Sequence, residues 1–276
     1  VMNQVQRPDL NNLFPSEGQG RESRFGGFRV FFRPLADLFW PPVCAGCSRL
    51  LPLADESGDA AGHFCPKCYE AVEFLPVAHC SVCGRPFYHS SDHVCGDCLS
   101  RPQAYRLARS ALAYAGPVAR SISLLKYYGD LTQVKVLADL ARPGFKEMLG
   151  GQSYDAIIPL PISKSRRKER GFNQTEDLAA ELFASQKRLL APQLLSRPET
   201  EKNHQARLSA AARRKAIKGS FTTGDSSRIT GADLLLFDDV FTTGATVSEA
   251  ADSLLEAGAA RVDVFTIART ILLQWR

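Results

Sequence analysis

The sequence lacks any long hydrophobic segment. None of its apolar runs approaches the roughly 18 residues that a membrane-crossing helix needs. The polar residues 1–24 contain no apolar stretch of the signal-peptide kind, and their composition predicts a disordered arm. We therefore expect a cytoplasmic protein that is not inserted into a membrane.

The sequence also lacks a compositional bias that would exclude a globular fold. Hydrophobic residues make up 45% of the 276 residues, charged residues make up 23%, and the formal net charge is +5. These proportions are typical of a chain that buries a core, and the length predicts two domains. We place a cysteine-rich region that begins with an amphipathic helix at 25–104 and an α/β domain at 105–276.

Cysteine occurs only in C-x-x-C pairs. The eight cysteines form four such pairs: Cys44 and Cys47, Cys65 and Cys68, Cys80 and Cys83, and Cys95 and Cys98. Each pair places two thiolates on one side of a tight turn, and two pairs complete the tetrahedral shell of a structural Zn²⁺. A disulfide framework would require a secreted chain, and redox-active pairs do not usually occur four at a time. We expect two structural zinc ions, bound either by consecutive pairs or in a cross-braced arrangement.

A second motif combines a strand, an acidic pair and a turn of small residues. Leu234–Phe237 is a continuous apolar run, which is typical of a strand buried on both faces of a parallel sheet. Asp238 and Asp239 follow at the expected carboxyl end of that strand, the edge at which open α/β sheets bind ligands. Between them and a helical pattern that stops at Gly258 lies a turn made of Thr242, Thr243, Gly244, Ala245 and Thr246.

The turn and the acidic pair suit different parts of one ligand. A helix start leaves backbone N–H groups unpaired and carries a partial positive charge, so it can bind a phosphate without a cationic side chain, and Gly244 lets the backbone approach the oxygens. Carboxylates repel a phosphate but accept hydrogen bonds from sugar hydroxyls or hold Mg²⁺. The motif therefore predicts a ribose 5-phosphate site. The alternative is a plain strand–turn–helix in which the acids are solvated and a threonine caps the helix.

A dense basic segment follows an earlier predicted strand. The strand, over 154–160, ends in prolines, and five cations lie in the seven positions that come soon after it: Lys164, Arg166, Arg167, Lys168 and Arg170. Such a run is often only a solvated face. Its position after a strand of the same sheet instead favours binding of a pyrophosphate leaving group.

These motifs resemble those of a known protein family. Residues 234–246 closely resemble the signature with which type I phosphoribosyltransferases bind phosphoribosyl pyrophosphate (PRPP). Together with the zinc ribbons and the segment 159–174, they resemble the ComF family, whose members are linked to natural competence and DNA uptake. The resemblance covers about residues 37–269. It implies a type I phosphoribosyltransferase fold, an open and mainly parallel α/β sheet flanked by helices, preceded by an N-terminal zinc-ribbon domain.

The resemblance also implies roles for individual residues. Asp238 and Asp239 would hold the ribose hydroxyls and Mg²⁺, and residues 242–246 would hold the 5-phosphate. The implied catalytic set is this acidic pair together with Lys164, Arg166, Arg167 and Arg170. Lys126, in a Leu-Lys-Tyr-x-Gly-Asp motif at 125–130, is a further candidate for PRPP binding.

One segment departs from the family pattern. Residues 201–221 correspond to the mobile hood of phosphoribosyltransferases and carry no acid from Ala206 to Gly219. Ala212 stands where the family usually has Glu, and Ala216 or Ile217 stands where it usually has Asn. Both losses would loosen the hood.

The remaining secondary structure follows from apolar periodicity. We predict strands over 107–114, 154–160 and 261–268, and helices over 28–40, 118–127, 173–185 and 132–149, the last broken at Pro143. The helix over 28–40 would either dock one domain on the other or lie on a membrane surface.

Two functions fit these features. The first is a PRPP-dependent phosphoribosyltransferase with two structural zinc ions, Mg²⁺ bound with PRPP, and an unassigned acceptor. The second is a non-catalytic module whose ribosyl-phosphate site serves sensing or stability. In that case the zinc ribbons and basic stretches would contact single-stranded DNA or a helicase during DNA uptake, although aromatic side chains near the basic stretches are sparse. Oligomerisation is compatible with both.

Overall fold

A four-stranded parallel sheet organises the computed structural model of the chain, which describes residues 41–51, 63–76, 78–88, 91–198 and 219–271. Its strands are β1 (Leu107–Ala113), β2 (Ala156–Pro159), β5 (Asp233–Phe241) and β6 (Arg261–Arg269). They lie in the order β1-β6-β5-β2, and every neighbouring pair is parallel. A separate antiparallel pair is formed by β3 (Leu195–Ser196) and β4 (Thr222–Thr223).

The helices of the described residues either cover the two faces of the four-stranded sheet or belong to the cysteine-rich region and the basic segment. They are α1 (Pro66–Glu70), α2 (Gly96–Ser100), α3 (Gly116–Tyr128), α4 (Thr132–Leu149), α5 (Lys164–Arg170), α6 (Gln174–Leu182) and α7 (Ala245–Glu256), with 3₁₀ turns at Ala184–Leu189, Pro192–Leu194 and Ser226–Arg228. Leu235 and Phe237 of β5 pack in one buried cluster with side chains of α3, α4 and α6. Leu234 and Leu236 pack in a second cluster with side chains of α7. Because alternate side chains of a strand point to opposite faces, the predicted open, parallel sheet flanked by helices is confirmed.

The predicted break at Pro143 is wrong. The helix α4 continues through this residue, although a proline in a helix interior costs about 3 kcal/mol because it removes a backbone N–H and crowds the preceding turn. Leu137 and Leu140 before the proline and Leu149 after it are buried in the cluster beneath the sheet. Each buried leucine contributes about 1.5–3 kcal/mol, so the packing of both halves outweighs the cost of the proline.

The cysteine-rich region lies along the outer edge of β1. Its backbone provides hydrogen-bond partners for that strand: Leu75 N–H donates to the Ala111 carbonyl at 3.1 Å, Ala113 N–H to the Glu73 carbonyl at 2.9 Å, and Ala108 N–H to the Val82 carbonyl at 2.7 Å. The edge strand of the sheet is therefore covered.

The same region contributes to both hydrophobic clusters of the sheet. Cys44 and Cys65 belong to the cluster that contains α4, and Cys80 and Cys83 belong to the cluster that contains α7. The cysteine-rich region thus packs on both faces at the β1 edge. Its apolar side chains are continuous with those of the α/β domain.

Some predictions lie outside the described residues. These are the arm at 1–24, the helix over 28–40 and the part of the hood at 201–218. Within the described part of the chain, no helix combines the length and the apolar character needed to cross a bilayer.

Candidate functional site

The acidic pair lies where β5 extends beyond its neighbour β2. The register pairs the last β2 residue, Pro159, with Phe237, whereas β6 remains paired with β5 as far as Phe241. Asp238 and Asp239 therefore follow the last position that β2 covers. This is the carboxyl edge of the parallel sheet, where the sequence predicts them and where α/β folds bind ligands.

Asp239 is buried, and other side chains of the protein compensate its negative charge. Lys126 Nζ, near the end of α3, lies 2.8 Å from Asp239 Oδ2, and Gln174 Nε2 donates to the same oxygen at 3.2 Å. Burial opposes the charge of Lys126, but the charges of Asp239 and Asp238 outweigh it and raise the pKa of the Lys126 ammonium. The structure therefore places Lys126 at the site as the ion-pair partner of Asp239.

Asp238 is half-buried, and it is the member of the pair that remains available. Its Oδ1 accepts a 2.8 Å hydrogen bond from the Asp239 N–H. Burial, followed by the charge of Asp239, raises the pKa of the Asp238 carboxyl to about 7, although Lys126 acts in the opposite direction. A hydroxyl donor or a cation at Asp238 would stabilise the ionised form and lower that pKa again.

The turn at 242–246, here called the threonine turn, leads directly into α7. Thr242 and Thr243 are exposed, Gly244 is the N-cap residue, and the helix begins at Ala245. Thr243 Oγ1 accepts a 3.4 Å hydrogen bond from the Ala245 N–H. The first N–H groups of this 12-residue helix have no acceptor within the helix, so the turn has the features of an anion-binding helix start.

Glycine at 244 is also required by the protein's own packing. The residue has φ of +76°, in the left-handed region, and a Cβ there would lie 2.6 Å from Phe241 Cζ. The closest neighbour of Gly244 is therefore an aromatic ring beneath the turn. Ligand approach, which is the reason that the sequence suggests, is the second of two reasons for this glycine.

The basic segment forms a short helix of its own, which the sequence analysis does not predict. Ser163 caps α5 and accepts a 3.4 Å hydrogen bond from the Arg166 N–H. Asn173 caps α6, which begins at Gln174. The glycine between the helices, Gly171, has φ of +80° and ends α5.

Arg170 is the member of this segment that is connected to the acidic pair. Its Nη1 donates to Gln174 Oε1 at 2.8 Å, and the amide nitrogen of the same glutamine donates to Asp239. The Arg170 guanidinium also lies 5.6 Å from the centroid of the Tyr127 ring. Gln174 thus joins the basic segment to the carboxylates.

The other cations of the segment differ in their availability. Arg167 forms a two-point ion pair with Glu176 at 3.1 and 3.2 Å. Lys164, Arg166 and Lys168 are exposed, and none of them forms an ion pair with another described residue. These three are the cations that an anionic ligand could meet without breaking an existing ion pair.

Arg197 joins the site although sequence reasoning missed it. Its guanidinium carbon lies 5.3 Å from the centroid of the Phe221 ring. Burial and then the nearby charge of Arg166 lower the pKa of the Arg197 guanidinium, while Asp238 opposes that shift. The charges of Arg166 and Asp238 therefore both act on the Arg197 guanidinium. Nothing in its sequence context marks it, because it follows a strand of only two residues; Gln174, by contrast, ends the family-like segment at 159–174.

The eight cysteines form two tetrads made of consecutive pairs. The first tetrad is Cys44, Cys47, Cys65 and Cys68, the second is Cys80, Cys83, Cys95 and Cys98, and within each tetrad the sulfur atoms lie within 4.8 Å of one another. The Cys47 and Cys65 sulfurs are 3.8 Å apart, as expected for two ligands at about 2.3 Å from one tetrahedral Zn²⁺. The chain therefore carries two zinc-binding tetrads in the sequential arrangement, one of the two that the spacing allows.

Backbone N–H groups prepare one thiol of each tetrad for the metal. Cys65 N–H donates to Cys44 Sγ at 3.2 Å, and Cys95 N–H donates to Cys80 Sγ at 3.3 Å. Burial raises the pKa of both thiols, but hydrogen bonds from backbone N–H groups outweigh it and lower the pKa of Cys44 to about 7 and that of Cys80 to about 6. The thiolate is the form that binds a metal.

Three arginines surround the second tetrad. Arg109 Nη2 donates to the Ser81 carbonyl at 3.1 Å, and Arg269 Nη1 donates to the Cys83 carbonyl at 2.7 Å. Arg85 forms an ion pair with an aspartate of α2. Arg109 and Arg269 therefore place positive charge beside this tetrad, whereas Asp97 neutralises the charge of Arg85.

Comparison with known proteins agrees with these features. Residues 35–99 match the family model described as a double zinc ribbon domain. DNA utilization protein YhgH of Escherichia coli O157:H7 is 34% identical over 243 residues, which cover 84% of this chain and 98% of that protein. Competence protein ComFC of Bacillus subtilis is 30% identical over 213 residues, which cover 75% of this chain and 84% of that protein.

The similar solved structures include a glutamine phosphoribosylpyrophosphate amidotransferase from B. subtilis. It is 16% identical in sequence and has a TM-score of 0.30. The match covers 49% of this chain and 25% of that protein.

Proposed function

The chain belongs to the ComF family of competence and DNA utilization proteins, and on that premise we propose that it binds PRPP together with Mg²⁺. The observation that carries the proposal is the placement of Asp238 near the end of β5, where only Asp239, Val240 and Phe241 separate it from the threonine turn. A carboxylate that β2 leaves uncovered and an uncharged helix start both lie at the carboxyl edge of the parallel sheet. A sugar diol and a phosphate on one ligand fit this pair.

Each part of the ligand has chemically matched residues. The N–H groups at the start of α7 and the hydroxyls of Thr242 and Thr243 bind the 5-phosphate. Asp238 accepts hydrogen bonds from the ribose hydroxyls, and its hard oxygen atoms also suit Mg²⁺. Asp239 holds Lys126 in place and thereby keeps the total charge of the pair low. A phosphorylated ligand therefore does not meet two uncompensated carboxylates.

The basic residues face the charge that phosphoribosyl transfer would release. As pyrophosphate leaves C1 of the ribose, negative charge grows on the leaving group, and preorganised cations stabilise it. Lys164 and Arg166 are exposed on α5, Arg170 is joined to Asp239 through Gln174, and Arg197 is influenced by the charge of Asp238. Bound Mg²⁺ would neutralise further pyrophosphate charge. Transfer to an acceptor would make the protein a phosphoribosyltransferase.

Calorimetry with PRPP and MgCl₂ tests the binding proposal. Wild-type protein should bind PRPP, and Asp238→Asn should weaken binding at least tenfold because it replaces one of the two acceptor oxygens by a donor and removes the negative charge that holds the ion. Glu256→Gln, at the far end of α7 where the residue is exposed, removes the same charge and should leave binding unchanged.

The sign of the Asp238→Asn effect is decisive. Long-range electrostatics alone would make any loss of negative charge strengthen the binding of an anion. Absence of PRPP binding by the wild type, or tighter binding by Asp238→Asn, would refute the proposal. Pyrophosphate release with candidate acceptors then distinguishes a transferase from a sensor.

A second candidate function, contact with single-stranded DNA, is favoured by one surface feature. Tyr127 and Tyr128 at the end of α3 are 71% and 79% exposed, and the Arg170 guanidinium lies over the first of them. Exposed aromatic faces beside cations are the elements with which proteins stack and track a single strand. These contacts lie beside the proposed PRPP site, so the two ligands would compete or cooperate.

Salt dependence separates this candidate from the first. Oligonucleotide affinity should fall steeply with salt, and the slope should decrease for Arg166→Ala combined with Arg167→Ala. Tyr127→Ala should weaken binding by about 1–3 kcal/mol if a base stacks there. Tyr127→Phe, which keeps the aromatic ring, is the control and should bind as the wild type does. A wild-type affinity that is independent of salt excludes this function.

A further inference from the structure

We propose that Arg269 and Phe241 are positioning residues that hold the threonine turn in place from the second zinc tetrad. The inference rests on the proposed function, because it concerns the turn that would bind the 5-phosphate. It assigns to the second tetrad a specific task at the ligand site beyond the folding of its own ribbon.

The chain of contacts begins at the tetrad. Arg269, the last residue of β6, donates from Nη1 to the Cys83 carbonyl at 2.7 Å. Its guanidinium carbon lies 4.8 Å from the centroid of the Phe241 ring, within the range of a cation–π contact. Phe241 is the last residue of β5, immediately before the threonine turn.

The contacts continue from the Phe241 ring into the turn. A Cβ on Gly244 would lie within 2.6 to 3.3 Å of three carbon atoms of this ring, so the glycine backbone rests on the aromatic ring. Tyr105 contacts the ring edge-on, with centroids 6.4 Å apart. A movement of the Phe241 ring would therefore also move Gly244, the N-cap residue of α7.

The residue after Arg269 fastens the turn at a second point. Thr270 N–H donates to the Phe241 carbonyl at 3.0 Å, and Thr270 Oγ1 donates to the Thr242 carbonyl at 3.4 Å. The end of β6 thus supports the turn in two ways: Arg269 contacts the Phe241 ring, and Thr270 binds the carbonyls of Phe241 and Thr242. A displacement of Arg269 would reach both contacts.

Charge explains why Arg269 depends on the tetrad. The residue is only 5% exposed, and among the described residues it has no carboxylate partner. A buried charge without compensation is costly. Four thiolates around one Zn²⁺ carry a net charge of about −2, which compensates the guanidinium. Binding of the metal to the second tetrad therefore stabilises the arginine orientation that supports Phe241.

Small displacements of the turn matter for a ligand held by backbone N–H groups. Misplacement by about 1 Å from a change far from the chemistry can cost on the order of a hundredfold in rate. Coupling between separate sites typically changes affinity by about 5- to 150-fold. We therefore expect Arg269→Met to weaken ribose 5-phosphate binding by about tenfold.

The matched control lies at the other end of the same strand. Arg261 also rests on an aromatic ring, 5.8 Å from the Tyr154 centroid, and donates to a carbonyl, that of Ser153 at 3.2 Å. It is remote from the threonine turn. Arg261→Met should therefore lower stability without changing ligand affinity.

The experiment measures three quantities on full-length wild type, Arg269→Met and Arg261→Met: zinc per chain, the Kd of ribose 5-phosphate with MgCl₂, and amide exchange of residues 242–246. The expected result is two zinc ions per chain in all three, with a weaker Kd and faster exchange in Arg269→Met alone. Phe241→Leu should reproduce both effects from the turn side, which keeps the test informative if the arginine variant folds poorly.

The outcomes separate this inference from the proposed function. Unchanged Kd and unchanged exchange in both Arg269→Met and Phe241→Leu overturn the inference. If wild-type protein binds no ribose 5-phosphate, the proposed function fails, and amide exchange alone still decides whether Arg269 positions the turn.

Discussion

Replacing Lys126 with methionine tests the energetic basis of the acidic site. The side chains of Lys126 and Asp239 are 19% and 5% exposed, and their charged atoms are 2.8 Å apart. Methionine retains an apolar stem of similar length but removes the charge. Asp239 would keep the hydrogen bond from Gln174 and lose its counter-ion.

The expected loss is large because one buried charge is left without compensation. Removing one partner of a buried pair costs about 3–5 kcal/mol, and for a chain of this size each kcal/mol lowers Tm by about 2–4 °C. We therefore expect Tm to fall by roughly 10 °C. The pKa of Lys126 is raised in the folded protein, so its stabilisation is fully present below its unfolded pKa of about 10.4 and is lost only at more alkaline pH. An assay at pH 7 measures all of it.

A double-mutant cycle isolates the pair. Lys126→Met with Asp239→Asn should recover most of the loss, because neither charge then remains buried alone. Lys135→Met removes one partner of a pair in which the lysine is 54% exposed and should cost less than about 1 kcal/mol. The reasoning is refuted if Lys126→Met costs no more than Lys135→Met, or if the double variant loses the sum of the two single changes.

Four further predictions concern the site and the metal centres. The pKa of Asp238 is raised to about 7 from about 3.9 in the unfolded chain, so ionisation of Asp238 destabilises the unliganded fold as pH rises from about 4 through 7. In urea unfolding, Asp238→Asn should therefore be more stable than wild type at pH 8 but not at pH 4. A stability difference that does not depend on pH would contradict this. For the same reason PRPP affinity should rise about tenfold between pH 6 and pH 8, and calorimetry at the two values should show no such rise in Asp238→Asn. Gly244→Ala introduces a side chain at φ of +76° and against Phe241; Tm should fall by several degrees and ribose 5-phosphate binding should be lost, whereas Gly151→Ala, where a Cβ meets nothing within 4 Å, should change neither. Chelation of zinc should lower the stability of the whole chain in a single transition, because cysteines belong to both hydrophobic clusters; an α/β domain that melts at an unchanged temperature would argue against that shared core.

The zinc centres were readable from the sequence, but their pairing was not. Eight thiols in C-x-x-C pairs define eight ligands by chemistry alone. Sequential and cross-braced pairing both satisfy the spacing, because the choice depends on how the loops between the pairs fold back. The structure selects consecutive pairs, with Cys47 and Cys65 adjacent.

The central strand was predictable, and its surroundings were only partly so. The apolar run Leu234–Phe237 has no polar alternation, and all four of its side chains are fully buried. The predicted break at Pro143 failed because a local rule does not include the burial of leucines on both sides of the proline. Tertiary packing, which a single sequence does not display, determined the outcome.

The candidate site was likewise predictable only where it depends on local sequence. The order of the acids, the turn and the helix is local, so the sequence indicates it correctly. The ion pair between Lys126 and Asp239 joins residues of two separate elements, and Arg197 reaches the site from the end of a two-residue strand. Such contacts depend on the three-dimensional arrangement of the sheet. Their chemical roles remain predictions until ligand binding is measured.

The cover that the cysteine-rich region places over β1 has a consequence for how the protein can be handled and how it can fail. A bare β-strand at the rim of a sheet is a template for pairing with another copy of the chain. Here residues such as Leu75 and Val82 occupy those backbone groups. Expression of residues 105–276 alone, or oxidation of the thiols before metal uptake, should therefore lead to self-association through the exposed edge of β1. The metal-binding region thus keeps the protein soluble by covering that edge.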